Sequence, residues 1–403
     1  MMQAEVTTAR RSTVVGIGVA SALVPLNSTM VALALSDIAR EFHIEKGHAA
    51  ILVTVYLIAM LVLQPISGRI SDVVGNKRAA IVSLVGFGGC SLAAALAPTF
   101  SLLVVARGVQ AIFGSALAPS VQSMLRAVAP PSDRGRVFGM LGSIIGVGAA
   151  AGPLVGGVLV DAAGWPAIFL FNIPVVVLAL VLLMRVSVPV AAREVRRSRV
   201  GADTPERLWT RAYIAAFATQ ALSTFGQYSL LLVTPFVLDV RGWSGGEKGL
   251  ALSALTLGLI AMGPAGGRLG DRAGRRRPVV IGQLVALLGV LLVVPFGAAV
   301  LPVVLIAALA LFGVGYGFAS PSIMTAALES APEERSGVAA GVLSASRYMG
   351  SITASLLVRH YVDDDASGAH VMFVLSAVAL ALGVAAALRL PSGDRRESSK
   401  LRV

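Results

Sequence analysis

Charged residues are scarce in this chain: Asp, Glu, Lys and Arg make up 13% of its 403 residues, against about 25% in an average soluble domain. Hydrophobic residues make up 56%, and the mean hydropathy is +0.83. Apolar runs of about 20 residues, the length that crosses a bilayer, recur along the whole chain. This composition excludes an ordinary soluble protein and indicates an integral membrane protein.

Cysteine is nearly absent. The single Cys90 lies in an apolar run and excludes a disulfide within the chain and a thiolate metal cluster. The sequence also lacks a Walker-type loop, a pair of catalytic carboxylates and a Ser-His-Asp set. We therefore expect no enzyme activity, no cofactor and no metal.

Acidic side chains are missing from the middle of every apolar run. All 21 Asp and Glu residues lie in connections or near the ends of the runs. The four histidines, at 43, 48, 360 and 370, fall in external connections or at their edges. The membrane interior therefore offers no central carboxylate or imidazole to carry a proton.

The apolar runs predict an all-α membrane protein with twelve transmembrane helices. The first run is too long for a cleaved signal, so we expect it to be retained. The predicted spans are 13–36, 49–69, 78–98, 101–123, 136–160, 166–186, 212–238, 246–269, 278–299, 302–324, 334–358 and 368–390.

Basic residues are placed unequally between the two sides. With both termini cytoplasmic, 26 of the 33 Lys and Arg lie on the cytoplasmic side and five lie outside. This excess is the positive-inside pattern, and it accounts for the net charge of +12 without nucleic acid as a partner. The 29 arginines against 4 lysines, with abundant Ala and Gly, hint at a GC-rich bacterial source.

The chain repeats itself at an offset near 200 residues. Gly68-Arg-Ile-Ser-Asp-Val-Val-Gly-Asn-Lys-Arg78 returns as 267–277, and the segment ending at Arg134 returns in the one ending at Arg335. Pro119 matches Pro321. We therefore predict two pseudo-symmetric six-helix halves, 1–186 and 212–403, joined by a cytoplasmic linker at 187–211.

The first repeated element is a loop on the cytoplasmic face, with Gly68, Asp72, Gly75 and Arg78 in one copy and Asp271 in the other. A simple solvated loop is the alternative, but the doubled Gly-x-x-x-Asp-x-x-Gly pattern favours a specific role. An acid can lie against the positive N-terminal end of a helix from the other half. We expect Asp72 to latch the eleventh span, which begins near Arg335, and Asp271 to latch the fifth.

The fifth predicted span carries a ridge of small residues. Gly148, Gly152 and Gly156 recur every four residues, which lets a neighbouring helix approach closely, and Pro153 frees a backbone carbonyl in mid-span. A plain packing helix would explain the glycines alone. The added Gly-Pro and Gly-Gly pairs favour a hinge for conformational change.

Two arginines lie inside spans, where a charge is costly and is a functional candidate by default. Arg107 stands three residues before Gln110 in the fourth span, and Arg347 lies more than ten residues from either end of the eleventh. Snorkelling to the membrane surface is the alternative for Arg107 and fits Arg347 poorly. Further polar candidates for substrate binding are Asn27, Gln220, Thr224, Gln227, Tyr228 and Tyr316.

These motifs resemble those of the major facilitator superfamily: the repeated loop, the fourth-span Arg107 motif and the Gly-Pro ridge. The first span around Asn27 and the segment from Gly164-Trp165 to Pro174 are similar to the bacterial drug:proton antiporters. The resemblance implies a cavity lined by the first, fourth, seventh and tenth helices, multidrug efflux by alternating access, and proton antiport. It also implies an acid where this chain has Asn27, so Asp37 is the remaining candidate for proton coupling.

Several functions stay open at this point. One hypothesis is that the central cavity is positive and accepts an anionic or electron-rich substrate. The other is that Gln and carbonyl groups satisfy the two arginines and that the substrate is a neutral lipophile. The alternatives to an exporter in the bacterial inner membrane are an uncoupled facilitator or anion exchanger and a membrane sensor that moves nothing. The expected partners are a small molecule, protons and the lipid bilayer, with the chain acting as a monomer.

Overall fold

The structure, a computed structural model, describes residues 2–128, 148, 151–185, 209–331, 336–362, 366 and 368–392. Within these ranges the regular elements are helices, as the all-α prediction requires. In chain order they are α1 Met2–Glu41, α2 Lys46–Ala49, α3 Ile51–Val74, α4 Asn76–Ala95, α5 Phe100–Val128, α6 Ala151–Ala163, α7 Pro166–Leu170, α8 Asn172–Met184, α9 Arg211–Asp239, α10 Gly245–Ala273, α11 Arg276–Leu291, α12 Pro302–Glu329, α13 Ser336–Tyr361 and α14 Ala369–Ala387.

Among the described residues, nine helical segments are long and apolar enough to cross a membrane. They correspond to the predicted spans except those at 136–160, 278–299 and 334–358, where the structure describes α6, α11 and α13. Most of the fifth predicted span lies outside the described residues. The count of twelve spans therefore remains a prediction.

The sixth predicted span, 166–186, corresponds to the helical segment Pro166–Met184. A single residue, Phe171, separates α7 from α8 within it, because the ring of Pro174 conflicts with the carbonyl one turn earlier. One other boundary differs from the predicted spans. The ninth span, predicted to reach residue 299, ends as an α-helix at Leu291. Pro295 follows, and the chain turns through a short 3-10 helix at Gly297–Ala299.

The chain divides into two compact units. The first contains Met1–Asp37 and Val55–Pro205, and the second contains Ile38–Thr54 and Glu206–Val403. The end of α1, the whole of α2 and the start of α3 thus belong with the second unit, which the sequence did not indicate. The predicted domain limits at 186 and 212 remain a prediction.

In the first unit the glycine ridge lies directly against α1. A Cβ at Gly148 would lie 2.7 Å from the Cβ of Ala22, and one at Gly152 would collide with the hydroxyl of Thr29. Gly156 continues the same contact one turn further along α6. The ridge therefore permits close helix packing, as predicted, while its role as a hinge remains a prediction.

The tightest helix pair in the second unit is α10 with α12. A Cβ at Gly266 would collide with the carbonyl oxygen of Phe318, and one at Gly313 would collide with that of Leu255. These glycines bring two helix backbones into contact. The sequence does contain a four-residue spacing here, with Gly266 and Gly270 on α10 and Gly313 and Gly317 on α12, but this contact was not predicted.

The segment 38–54 packs against α13 within the second unit. The Thr54 and Ser355 hydroxyls lie 2.6 Å apart, and Ser355 also donates to the Ala50 carbonyl at 3.0 Å. A Cβ at Gly47 would lie 2.9 Å from the Arg359 carbonyl oxygen. The start of α3 is therefore held by the end of α13 over two helical turns.

Candidate functional site

Arg107 is the centre of a buried polar cluster in the first unit. Its side chain projects from α5 and is 1% exposed. The Nη1 atom donates to Asn27 Oδ1 on α1 at 2.6 Å and to Gln110 Oε1 at 2.5 Å. The structure thus joins three of the predicted site residues, and burial at this depth excludes snorkelling for Arg107.

The cluster continues through Gln110 towards the sixth predicted span. Gln110 Nε2 donates to Ser91 Oγ on α4 at 2.7 Å, and Asn172 Nδ2 on α8 donates to the same oxygen at 3.1 Å. One hydrogen-bonded network therefore connects α1, α4, α5 and α8. Ser91 and Asn172 were not predicted as site residues, and only their polarity within apolar runs could have signalled them.

Aromatic rings complete the environment of the Arg107 guanidinium. Its central carbon lies 4.3 Å from the ring centroid of Tyr56 and 5.9 Å from that of Phe169. A cation over an aromatic face is attracted by about 2 kcal/mol or more when desolvated. The ring of Tyr56 therefore takes part of the role that an acidic partner would have.

The described part of this cluster is cationic, because its hydrogen-bonding partners are neutral. No carboxylate of the described residues pairs with Arg107, and there Arg107 Nε and Asn27 Nδ2 have no hydrogen-bond partner. Neutral amide oxygens and π faces compensate the charge incompletely. This arrangement matches the expectation that Gln side chains, not an acid, satisfy Arg107.

In the second unit three predicted residues meet on α9 and α12. Gln220 Nε2 donates to the Tyr316 hydroxyl at 2.7 Å and to Thr224 Oγ1 at 3.1 Å. All three side chains are buried. The spacing of Gln220 and Thr224 does place them on one face of α9, and Tyr316 closes the cluster from α12.

Arg347 on α13 is exposed, in contrast to Arg107. Tyr228 on α9 interacts electrostatically with Arg347 and hydrogen-bonds Ser351 one turn further along α13. Gln227 and Tyr228 are both half-buried. The second unit therefore presents a guanidinium and a phenol that a ligand could reach.

The second copy of the repeated loop contains a three-residue ion-pair network. Arg275 Nη1 contacts Asp271 Oδ1 at 2.6 Å, and its Nη2 contacts Glu329 Oε1 at 2.8 Å. These contacts raise the pKa of Arg275, with Glu329 making the larger contribution. Asp271 remains 72% exposed, so the acid predicted to act as a latch is tethered but accessible.

The first copy of the loop has Asn76 at the position that corresponds to Arg275 in the second copy. Gly75 and Gly274 both have left-handed backbone, with φ of 101° and 81°, so the two turns match. Lys77 in the first copy donates to the Met184 carbonyl at 3.0 Å. Gly68 packs near Pro119 and Arg78 is exposed, whereas the Asp72 side chain, Arg134 and Arg335 lie outside the described residues.

A cluster around Asp239, at the end of α9, was not predicted. Lys46 Nζ lies 2.9 Å from Asp239 Oδ2, and Lys248 Nζ lies 3.2 Å from Oδ1. Arg40 Nη2 approaches the same Oδ1 at 3.5 Å. These residues are far apart in sequence, so only the fold brings them together. Asp37, the predicted coupling residue, is half-buried on α1.

Long apolar helices, close glycine packing and polar clusters inside the helices define a multi-pass membrane transport protein, not an enzyme. The chain belongs to the Major Facilitator Superfamily, whose profile matches residues 17–355 and 216–402. These matches confirm the family resemblance seen in the sequence.

Relatives of this chain are named as transporters, multidrug resistance proteins and antibiotic exporters. An uncharacterized MFS-type transporter, YvkA of Bacillus subtilis, is 28% identical, with 94% of this chain and 95% of the relative covered. Multidrug resistance protein Stp of Mycobacterium tuberculosis is 27% identical over 84% of this chain and 73% of its own length. The tetracenomycin C resistance and export protein of Streptomyces glaucescens is 33% identical over 42% of this chain and 31% of its own length.

A solved structure shows the same fold. The bacterial homolog of the human lysosomal transporter Spinster, in an inward-facing and unoccupied conformation, gives a TM-score of 0.76 at 14% identity. The match covers 96% of this chain and 99% of the other. This similarity confirms the major facilitator fold that the sequence predicted.

Proposed function

We propose that this chain exports a small lipophilic or anionic compound across the bacterial cytoplasmic membrane by alternating access. Export is supported by the relatives named for multidrug resistance and for tetracenomycin C export. The proposed substrate class rests on the different exposure of the two arginines that lie inside predicted spans. Arg107 is enclosed by amides and rings, and Arg347 is exposed.

The exposed arginine defines the proposed charge preference. An anionic group of a ligand pairs with Arg347, beside the half-buried Tyr228. The lipophilic part lies near the Gln220, Thr224 and Tyr316 cluster, whose amide and hydroxyls orient polar atoms of the ligand. Arg107, Asn27 and Gln110 hold their helices in position, since their polar atoms bond mainly to one another.

Alternating access requires contacts that form in one state and break in the other. We propose two six-helix halves, 1–186 and 212–403, with Asp271 and Asp72 as inner latches and the glycine ridge with Pro153 as the surface along which helices repack. The Asp271 carboxylate, which pairs with Arg275 and stays 72% exposed, supports the first of these roles. We also propose that both termini lie in the cytoplasm.

The second candidate is an uncoupled facilitator or anion exchanger. It is supported by the partner of Arg107, which is the neutral Asn27. The drug:proton antiporters that the sequence resembles have an acid at this position. An amide cannot gain or lose a proton at physiological pH. Proton antiport through this pair is therefore not available, and Asp37 is the remaining carboxylate proposed for coupling.

Vesicle transport distinguishes these functions. The purified protein is reconstituted into liposomes, and uptake of matched anionic, neutral and cationic lipophiles is measured with and without an imposed pH gradient. We expect uptake of the anionic and neutral compounds in preference to the cationic one. A dependence on the pH gradient supports antiport, its absence supports exchange, and binding without uptake would refute transport.

A further inference from the structure

A pocket of about 420 Å³ opens in the second unit where α10 ends, α11 begins and the chain leaves α14. Its lining combines arginines with aliphatic side chains. The arginines are Arg272, Arg276 and Arg277, and the aliphatic residues are Val280, Ile281 and Leu388. The pocket thus offers both positive charge and apolar surface.

Two acids that the structure describes close in sequence or space to this pocket, Asp271 and Glu329, are paired with a neighbouring arginine. Asp271 and Glu329 are both engaged by Arg275, which contacts them at 2.6 and 2.8 Å. Within the described part of the chain, no ion pair or hydrogen bond joins a side chain to Arg272, Arg276 or Arg277. The pocket therefore carries three positive charges that an anion can compensate.

The corresponding basic residue of the first half has a different partner. The repeat offset of 199 puts Arg276 at the position of Lys77. Lys77 Nζ donates to the carbonyl of Met184, the last residue of α8, at 3.0 Å. In the second unit Arg276 instead lines the pocket beside Leu388, which follows the last residue of α14. The two equivalent basic side chains therefore have different surroundings.

The apolar surface continues along α11 in the direction of the membrane. Ile281, Leu284 and Leu288 are exposed, by 47%, 49% and 53%. Their spacing of three and four residues places them on one face of the helix. An aliphatic chain on this face would cover these three side chains, starting at Ile281, which lines the pocket together with the arginines.

We propose that this pocket binds the headgroup of an anionic phospholipid, with one acyl chain along the exposed face of α11. Guanidinium groups match phosphate oxygens in geometry and charge, and basic pockets between transmembrane helices are suited to such headgroups. The N-terminal end of α11, which begins at Arg276, carries partial positive charge and further favours an anion there. This site is separate from the proposed substrate site and goes beyond the export function.

The test uses thermal unfolding of the purified full chain in a neutral detergent. Short-chain phosphatidylglycerol, short-chain phosphatidylcholine and inorganic phosphate are titrated separately, since a ligand of the folded state raises Tm. We expect a rise with phosphatidylglycerol only. The variant Arg272→Gln/Arg276→Gln/Arg277→Gln should weaken its apparent affinity about 100-fold, at about fivefold per arginine. Arg211→Gln, an exposed arginine at the start of α9, is the matched control and should bind normally.

Three results would overturn the proposal: equal shifts with phosphatidylcholine, an unchanged response in the triple variant, or an equal shift with inorganic phosphate, which would indicate a small-anion site. If the triple variant does not fold, Arg277→Gln replaces it, because Arg277 is exposed. Native mass spectrometry then counts the phosphatidylglycerol molecules retained by Arg277→Gln and by Arg211→Gln. Equal retention by the two variants would also refute the site.

Discussion

At the scale of single residues, the two intramembrane arginines have different surroundings. Arg107 donates to two amide oxygens and lies against the Tyr56 ring, whereas Arg347 is exposed on α13. An enclosed guanidinium orders the helices around it, and an exposed one is available to a ligand. The same residue type therefore supports a positioning role in one unit and a binding role in the other.

Replacing Asn27 by Asp should make transport depend on pH. The new carboxylate would lie within hydrogen-bond distance of Arg107 and pair with it, and the cycle could separate the pair most easily when a proton neutralises the carboxylate, so that transport should quicken as the pH falls. The initial rate of substrate uptake by proteoliposomes between pH 5 and 8 measures the effect. Asn27→Ser keeps the site neutral and should retain the pH profile of the unaltered protein. Identical profiles for Asn27→Asp and the unaltered protein would show that this position does not control the transport cycle.

Replacing Arg347 by Ala should weaken binding of an acidic ligand about tenfold or more, the effect of losing a charge-assisted hydrogen bond. Binding of a neutral analogue should change much less. Isothermal titration of matched acidic and neutral lipophiles checks the difference. Arg359→Ala, in the last turn of the same helix, is the control. Equal losses for both ligands would mean that Arg347 is structural.

At the scale of helices, glycines decide which faces can touch. A Cβ at Gly152 would collide with the Thr29 side chain of α1 and would lie 3.0 Å from the Leu26 carbonyl oxygen of the same helix. Gly89 on α4, in contrast, has no atom within 4 Å of a Cβ. The two positions therefore provide a matched pair for testing close packing.

Gly152→Leu should abolish or strongly reduce transport while the protein remains in the membrane, because α1 and α6 could no longer approach. Overpacking of this kind costs about 1–3 kcal/mol or more. Uptake by proteoliposomes and the amount of protein in membranes are measured together. Gly89→Leu should leave both unchanged. A normal rate for Gly152→Leu would refute a role for the ridge in the transport cycle.

At the scale of the whole molecule, the cluster around Asp239 joins three parts of the chain. Arg40, Lys46 and Lys248 approach one carboxylate that is 11% exposed, and Thr54 contacts Ser355 nearby. We expect this cluster to be an outer latch that must open once in each transport cycle. Removing the carboxylate leaves mutually repelling cations, which favours opening.

Asp239→Asn should lower Tm, since a charge-assisted contact of this type contributes about 1.5–3 kcal/mol. It should also expose the contact between α3 and α13. In a Cys90→Ser background, Ser355→Cys is labelled with a membrane-impermeant maleimide, and labelling should increase several-fold with Asp239→Asn. Asp161→Asn, an exposed acid at the end of α6, is the control. Unchanged labelling would contradict the latch.

The sequence alone determined the all-helical fold, the family and most span positions, because the bilayer imposes a length and an apolar composition on every helix. It also identified Arg107, Gln220 and Tyr316, since a polar side chain is conspicuous in an apolar run. It failed near Pro295, where the apolar run continues past the end of the helix at Leu291.

Only the tertiary structure decided the partners of those residues. Asn27 and Arg107 are 80 residues apart, and Arg40 and Asp239 are 199 apart, so no local pattern could pair them. The structure also placed Arg272, Arg276 and Arg277 around a pocket, whereas Lys77, the residue equivalent to Arg276, donates to the Met184 carbonyl. Local hydrophobicity fixes where a helix lies in the membrane, whereas side-chain partners depend on how helices distant in sequence pack together.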